Sequence, residues 1–285
     1  MRHILVPVDF SATSLKALRF TFHQFQPADA EISIMHHSSI LELAPDSAFT
    51  GLYVPPPADQ LEYTRGELNR FTDKALKGYE TKWPKENIRQ LIIPGIGSPD
   101  TIVETQKKQK ADLIIMGSTG ASGLKKWFIG SVAAKVIELA TVPVLMIPQY
   151  YRLKQVRKIG YASDLRSVQK DLEHLKPLSE ILHATIEMFH VEPVFPSNGV
   201  FKKFNAEKEV SELKQRFNLP DFSYQLIKTR NENDLFAGIA QFKRKSKPDL
   251  LAIITHRRNW VGKIVNPSQT KSLAYQSKLP LLAIH

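Results

Sequence analysis

A chain of 285 residues, 42% hydrophobic and 24% charged, has the composition of a soluble globular protein and room for one large domain or two medium ones. It contains no cysteine, which excludes disulfides and thiolate metal sites and suits a reducing, cytoplasmic setting. The net charge of +11 is uneven: residues 1–150 hold 16 Lys and Arg against 15 Asp and Glu, and residues 151–285 hold 23 against 13. Without interleaved aromatics, that excess is explained by a solvated surface and argues poorly for a nucleic-acid partner.

No apolar run approaches the ~20 residues that span a bilayer, so no membrane partner is expected. The opening MRHILVPVDF is acidic by position 9 and predicts no secretory leader. Ile4–Val8 is a short apolar run of the kind buried in parallel sheets. Ser11 then opens a helix with Leu15, Leu18, Phe22 and Phe25 on one face. Ile32–Met35 predicts a second strand, followed by a loop closed by Pro55, Pro56 and Pro57. A long amphipathic helix carries Leu61, Leu68, Phe71, Ala75 and Tyr79 on one side. Ile88–Ile93 predicts a strand, Thr101–Lys110 a helix, Leu113–Met116 a strand, Val132–Leu139 a helix and Val144–Ile147 a last strand. Strands alternating with helices imply right-handed crossovers and a parallel sheet covered on both faces.

The second half repeats this order. Strands are expected at Ile159–Ala162, Thr185–Phe189, Tyr224–Ile227, Leu250–Ile254 and Leu281–Ile284. Helices are expected at Leu172–Leu182, Glu207–Phe217, Leu235–Lys243 and Gln269–Tyr275. Residues 111–147 slide onto 248–284 by a constant 137 without a gap, pairing Asp112 with Asp249, Ser131 with Ser268 and Pro143 with Pro280. A duplication follows, with Pro148–Gln155 as the linker.

The strongest local signal runs from Asp112 through Gly117-Ser-Thr-Gly120, then nine residues to Gly130-Ser131. A buried strand enters a Gly-x-x-Gly turn, and a second glycine opens a helix beside a hydroxyl. Glycine admits φ > 0 and lets a ligand approach the main chain. N–H groups at the start of a helix, aided by its dipole, favour a phosphate. This spacing resembles the ATP-binding signature of the universal stress protein family. Ile4-Leu-Val-Pro7-Val8-Asp9-Phe-Ser11 is similar to that family's first strand and nucleoside-contacting aspartate, and Val142–Leu145 to its closing strand.

The resemblance covers 1–148 and, more weakly, 156–285. It implies an α/β fold of two tandem doubly wound domains, 1–148 and 156–285. Each would be a five-stranded parallel sheet with helices on both faces, of the adenine nucleotide alpha hydrolase-like type. It implies ATP, ADP or AMP, with or without Mg, across the carboxyl ends of the first domain's strands. Pro7, Val8 and Asp9 would meet the nucleoside, and His37 would read adenine through its main chain. Met116 and Gly117 would floor the pocket, with Thr119 and Gly120 on one side of the phosphates and Gly130, Ser131 and Val132 on the other. The family often has arginine where Thr119 stands and valine where His37 stands. In the second domain Asp164 and Ser268 remain, but Ile254, Arg257 and Pro267 replace the glycines, so nucleotide is not expected there.

The implied role is nucleotide-dependent stress response or signalling with an unidentified protein partner. An interaction scaffold with a vestigial site and a slow ATPase are the alternatives. The closing strands Val144–Ile147 and Leu281–Ile284 would pair as an intramolecular pseudo-dimer, and a homodimer is compatible with this. Gly95-Ile-Gly97-Ser98-Pro99 lacks the third glycine of a dinucleotide fingerprint, and Ser98 before Pro99 predicts a helix cap. His36 and His37 are adjacent on a strand and face opposite sides, so they cannot chelate one metal. His190 ends the equivalent strand and reads as a packed histidine. No Walker lysine, Gly-x-Ser-x-Gly or His-Glu-x-x-His motif occurs, and no catalytic constellation is expected.

Overall fold

The computed structural model describes residues 3–38, 58–95, 97–119, 130–193, 206–229, 235–254 and 279–284. In chain order the first half contains β1 (His3–Val8), α1 (Ala12–Gln24), β2 (Glu31–Ser38), α2 (Ala58–Leu76), β3 (Ile88–Pro94), α3 (Pro99–Gln109), β4 (Leu113–Gly117), α4 (Ser131–Leu139) and β5 (Val144–Ile147). The second contains β6 (Lys158–Ala162), α5 (Val168–Leu182), β7 (Thr185–Pro193), α6 (Ala206–Phe217), β8 (Ser223–Thr229), α7 (Leu235–Ser246), β9 (Leu250–Ile254) and β10 (Leu281–Ile284).

Each expected strand forms, several with longer ends. Tyr79 corrects one expectation: it lies past α2, which stops where Gly78 takes φ +89. The expected helix at Gln269–Tyr275 and the Pro55–Pro57 loop lie outside the described residues. Ser11 caps α1 by accepting from the Ser14 N–H at 3.1 Å. Ser98 caps α3 in the same way, accepting from Thr101 N–H at 3.2 Å with Pro99 in the first turn.

The ten strands form one sheet in the order β3-β2-β1-β4-β5-β10-β9-β6-β7-β8. Every neighbouring pair is parallel except β5 with β10, where Leu282 faces Leu145 in antiparallel register. The expected pairing of the two closing strands is therefore present within one chain. The second half repeats the strand order of the first, inverted about that junction. One core runs along the face covered by α1, α2, α5 and α6. The opposite face carries two cores, one under α3 and α4 and one under α7.

The linker is fixed to the first half. The Gln24 carboxamide donates to the Lys154 carbonyl at 2.8 Å and accepts from the Val156 N–H at 3.1 Å. Tyr151 is buried edge-on to Phe20, with ring centroids 5.7 Å apart, and donates to the same Lys154 carbonyl. Burial, with the Asp249 charge next in weight, pushes the Tyr151 phenol up to about 12 despite that hydrogen bond. Asp112 and Asp249, paired by the sequence alignment, do the same job in the two halves. Asp112 accepts from the His3 N–H, and Asp249 from the N–H groups of Arg157 and Lys158, tying the central strands together at their starts.

Candidate functional site

In the first half the chain leaves β1 toward β2 and returns from β3 to β4, so strand order reverses between β1 and β4. In open α/β sheets such a reversal, at the carboxyl ends of the strands, is the place where ligands bind. Register brings Val8 beside His36 and, continued from Leu5 opposite Ile114, brings Val8 beside Gly117. Pro7, Val8, Asp9, His37, Met116, Gly117 and Thr119 thus gather at one end of the sheet. Gly120 lies outside the described residues.

Asp9 is exposed, one residue past the strand. Its Oδ1 accepts from the Ser11 N–H at 3.1 Å, and its own N–H donates to Ser14 Oγ at 3.4 Å. Between them Phe10 takes φ +59, a left-handed conformation that strains a non-glycine residue. Phe10 stacks on His36 with ring centroids 4.0 Å apart, and His36 Nδ1 donates to the Val8 carbonyl at 2.9 Å. Burial holds the His36 imidazole below its ordinary value, against the opposing pull of the Val8 bond and the Asp9 charge.

The second half reproduces this device with other residues. Asp164 accepts from the Arg166 N–H at 3.0 Å, Leu165 takes φ +64, and His190 Nδ1 donates to the Ser163 carbonyl at 2.7 Å. His190 is thus the counterpart of His36. Neither Ser14 nor this role of His36 was visible in the sequence. Polar residues at the start of a helix and a histidine at a strand end were the only signals.

Gly117 and Gly130 behave differently from the sequence expectation of left-handed turns. Neither has positive φ: Gly117 belongs to β4, and Gly130 is the helix cap at φ −61, ψ 154. A Cβ on Gly117 would lie 2.8 Å from Thr13 Cγ2 and 3.0 Å from Thr13 Cβ and carbonyl carbon. Its missing side chain therefore admits the first turn of α1. Thr13 in turn reaches Thr119, hydroxyl to hydroxyl, at 3.3 Å. The Gly130 N–H donates to the Ser118 carbonyl at 2.7 Å, which brings the start of α4 against the end of β4. Ser131 and Val132 follow, both exposed, in the first turn of α4. First-turn N–H groups have no intrahelical acceptor, and the N-cap residue here, Gly130, has no side chain to serve them.

Alternation along β2 sends His36 to the α1–α2 face and His37 to the face of α3 and α4. There the His37 ring lies under Gly97, where a Cβ would be 3.1 Å from His37 Cγ and Cδ2. Both ring nitrogens are out of solvent and, among the described residues, have no hydrogen-bond partner. Burial, and then the neighbouring His36, lowers the pKa of His37.

The corresponding place in the second half is filled at two described positions. Val191 follows His190 as His37 follows His36, and its side chain packs onto Gly238 of α7 so tightly that a Cβ there would collide. Ile254, where the first half has Gly117, is buried. Arg257, Pro267 and Ser268 lie outside the described residues.

Three groups at this end of the first half have the chemistry to meet an adenine nucleotide. The first turn of α4 offers N–H donors and a hydroxyl to phosphate, Asp9 offers a carboxylate to ribose hydroxyls, and the His37 ring offers unused polar atoms to a base. Among the described residues no group of three or more His, Asp or Glu is placed to hold a metal. No helix among the described residues is long and apolar enough to cross a membrane.

Comparison with known proteins places these features in context. A sequence model described as "Universal stress protein family" matches residues 1–148. A universal stress protein of Bacillus subtilis (strain 168) is 32% identical over 145 residues, which covers 50% of this chain and 97% of that protein. One from Methanocaldococcus jannaschii is 31% identical over 146 residues, 51% of this chain and 81% of that one. Among solved structures, a universal stress protein from Archaeoglobus fulgidus DSM 4304 superposes with a TM-score of 0.64 over 99% of this chain and 95% of its own. Their 17% identity makes that a likeness of fold alone.

Proposed function

The chain belongs to the universal stress protein family, and on that premise we propose that residues 1–148 form a domain that binds ATP, ADP or AMP, with or without Mg. Residues 156–285 form a second domain of the same fold that does not bind nucleotide in that manner. The nucleotide lies at the carboxyl ends of β1 and β4. Asp9, with Pro7 and Val8 before it, meets the ribose, Met116 and Gly117 form the floor, and Ser131 and Val132 hold phosphate. Thr119 and Gly120 close the other side of the phosphates. The protein acts as a cytoplasmic stress-response or signalling component whose contacts with a protein partner follow nucleotide occupancy.

The observation that carries this reading is the first turn of α4, which starts at a glycine cap and is exposed at the same end of the sheet as Asp9. Such a helix start with an exposed serine is a ready anion site. Gly130 serves it by holding the helix start in position, not by donating to the ligand itself.

The test is thermal unfolding with ATP, ADP and AMP. A ligand that binds only the folded form stabilises it by RT ln(1 + [L]/Kd), about 2.7 kcal/mol at a hundredfold excess over Kd. Ser131→Pro removes the hydroxyl and one amide together. Proline suits the first helical position, and Gly130 at φ −61, ψ 154 already has the extended backbone that precedes proline. The variant is expected to fold as the natural chain does and to lose most of the ATP shift while retaining more of any adenosine shift. Absence of a shift in the natural chain at millimolar ATP refutes the reading.

The tight seating of Thr13 on Gly117 favours a second reading, since it accounts for that glycine without a ligand. In that case the chain is an interaction scaffold, and no nucleotide alters its stability.

A further inference from the structure

Resting on the nucleotide reading above, we infer that the His37 side chain recognises the base, through a hydrogen bond from one of its ring nitrogens to the polar edge of the purine. Position, enclosure and chemistry carry the inference. His37 is one residue beyond the level of Val8, at the carboxyl end of its strand. Its ring lies on the α3–α4 side of the sheet, the side on which α4 presents its first turn. A nucleotide with its phosphates on Ser131 and its ribose at Asp9 has its base on this side of the sheet, toward β2.

Buried polar atoms in folded proteins almost always have a hydrogen-bond partner. Here both nitrogens of one ring are buried and have none among the described residues. The contrast with its neighbour is direct, because His36 donates to the Val8 carbonyl and stacks on Phe10. The ring is held in place by its close approach to the Gly97 main chain. Burial favours the neutral imidazole, which has one N–H donor and one bare acceptor nitrogen. One edge of adenine offers a complement to either: N7 for the donor, the 6-amino group for the acceptor. The second half supports the assignment by difference. Where His37 stands the second half has Val191, which has no polar atom and is packed against Gly238. The half that has Ile254 where the first has Gly117 also lacks this ring.

The experiment compares the natural chain with His37→Leu, which keeps comparable volume, and with His37→Gln, which restores a donor and an acceptor. Dissociation constants are measured by calorimetry for ATP, for 7-deaza-ATP and for purine riboside triphosphate, which lacks the 6-amino group. The natural chain is expected to bind one of the two analogues about three- to tenfold more weakly than ATP, the range of a single hydrogen bond. His37→Leu should weaken ATP by a similar factor and lose the discrimination, and His37→Gln should recover part of both. Without ligand, His37→Leu should be as stable as the natural chain or more so, since two unpartnered buried nitrogens are removed.

The inference is overturned if His37→Leu binds ATP as tightly as the natural chain, or weakens all three ligands by one common factor. It is also overturned if the unliganded His37→Leu and His37→Gln proteins are both markedly destabilised, which marks the ring as a packing group. If the natural chain binds none of the three, the nucleotide reading itself falls. That outcome is separate from one in which ATP binds and His37 is indifferent.

Discussion

Replacing Gly117 by alanine tests whether this glycine serves packing. The new methyl would lie 2.8 Å from Thr13 Cγ2 and 3.0 Å from two further Thr13 carbons. Carbon atoms rest at about 3.5–4.0 Å, so α1 or β4 has to move by about half an ångström or more. Two of the three close atoms are main chain or Cβ and cannot rotate away, so the strain falls on the backbone. Overpacking of this kind costs about 1–3 kcal/mol. Each kcal/mol lowers the melting temperature by about 2–4 °C in domains of this size class. Gly117→Ala should therefore melt about 2–12 °C below the natural chain. Thr13→Ser removes Cγ2, the nearest atom, while keeping a hydroxyl for Thr119. The double variant should regain part of the loss, because the contacts at 3.0 Å persist. Differential scanning calorimetry of the four proteins completes the cycle, and the coupling between the two sites is the quantity of interest. Unchanged stability in Gly117→Ala, or strict additivity of the two changes, refutes the argument.

Two further outcomes follow from the structure. Gln24→Ala leaves the Lys154 carbonyl and Val156 N–H without the partner that now serves both. It should cost about 1–3 kcal/mol by denaturant unfolding and expose residues 150–156 to protease, and unchanged stability and cleavage would refute it. His23, His36 and His37 are all held below their ordinary value of 6.5, chiefly by burial. The unfolded chain takes up protons at these sites before the folded chain does, so their stabilising effect is complete above pH 6.5 and declines as the pH falls below it. Melting temperature should drop between about pH 6.5 and 5. The slope should lessen in His36→Gln, and a flat profile over that interval would count against it.

The strand positions were legible because each strand is a compact apolar run between helix signals. Ile4–Val8, Leu113–Met116 and Val144–Ile147 are almost wholly buried, as such runs require. The repeat was legible in Asp112 and Asp249, whose carboxylates perform the same cross-strand duty. Contacts between residues far apart in the chain were not. Nothing near Gly117 points to Thr13, 104 positions earlier, so a glycine beside a motif reads as a ligand contact when its packing is the visible constraint. The linker is a similar case. Pro148–Gln155 has the composition of a connector, and only the fold brings the Gln24 carboxamide onto it. The left-handed residues Phe10 and Leu165 gave no sign either, since neither side chain favours that conformation. Sequence places His190 on the strand equivalent to that of His36 and His37 but does not say which of the two it matches. Register shows His36 and His190 bonded to the same point of the preceding strand.

The antiparallel seam between β5 and β10 joins two strands of a single polypeptide. Such a junction has no dissociation constant to be overcome by dilution; the covalent tether fixes the local concentration of one partner around the other. Every molecule therefore carries one copy of each half at any expression level, and neither half can be exchanged for a duplicate of itself without breaking that seam. Such fixed stoichiometry frees the second half from self-complementarity, so its surface and its strand ends can diverge while the first half keeps its own.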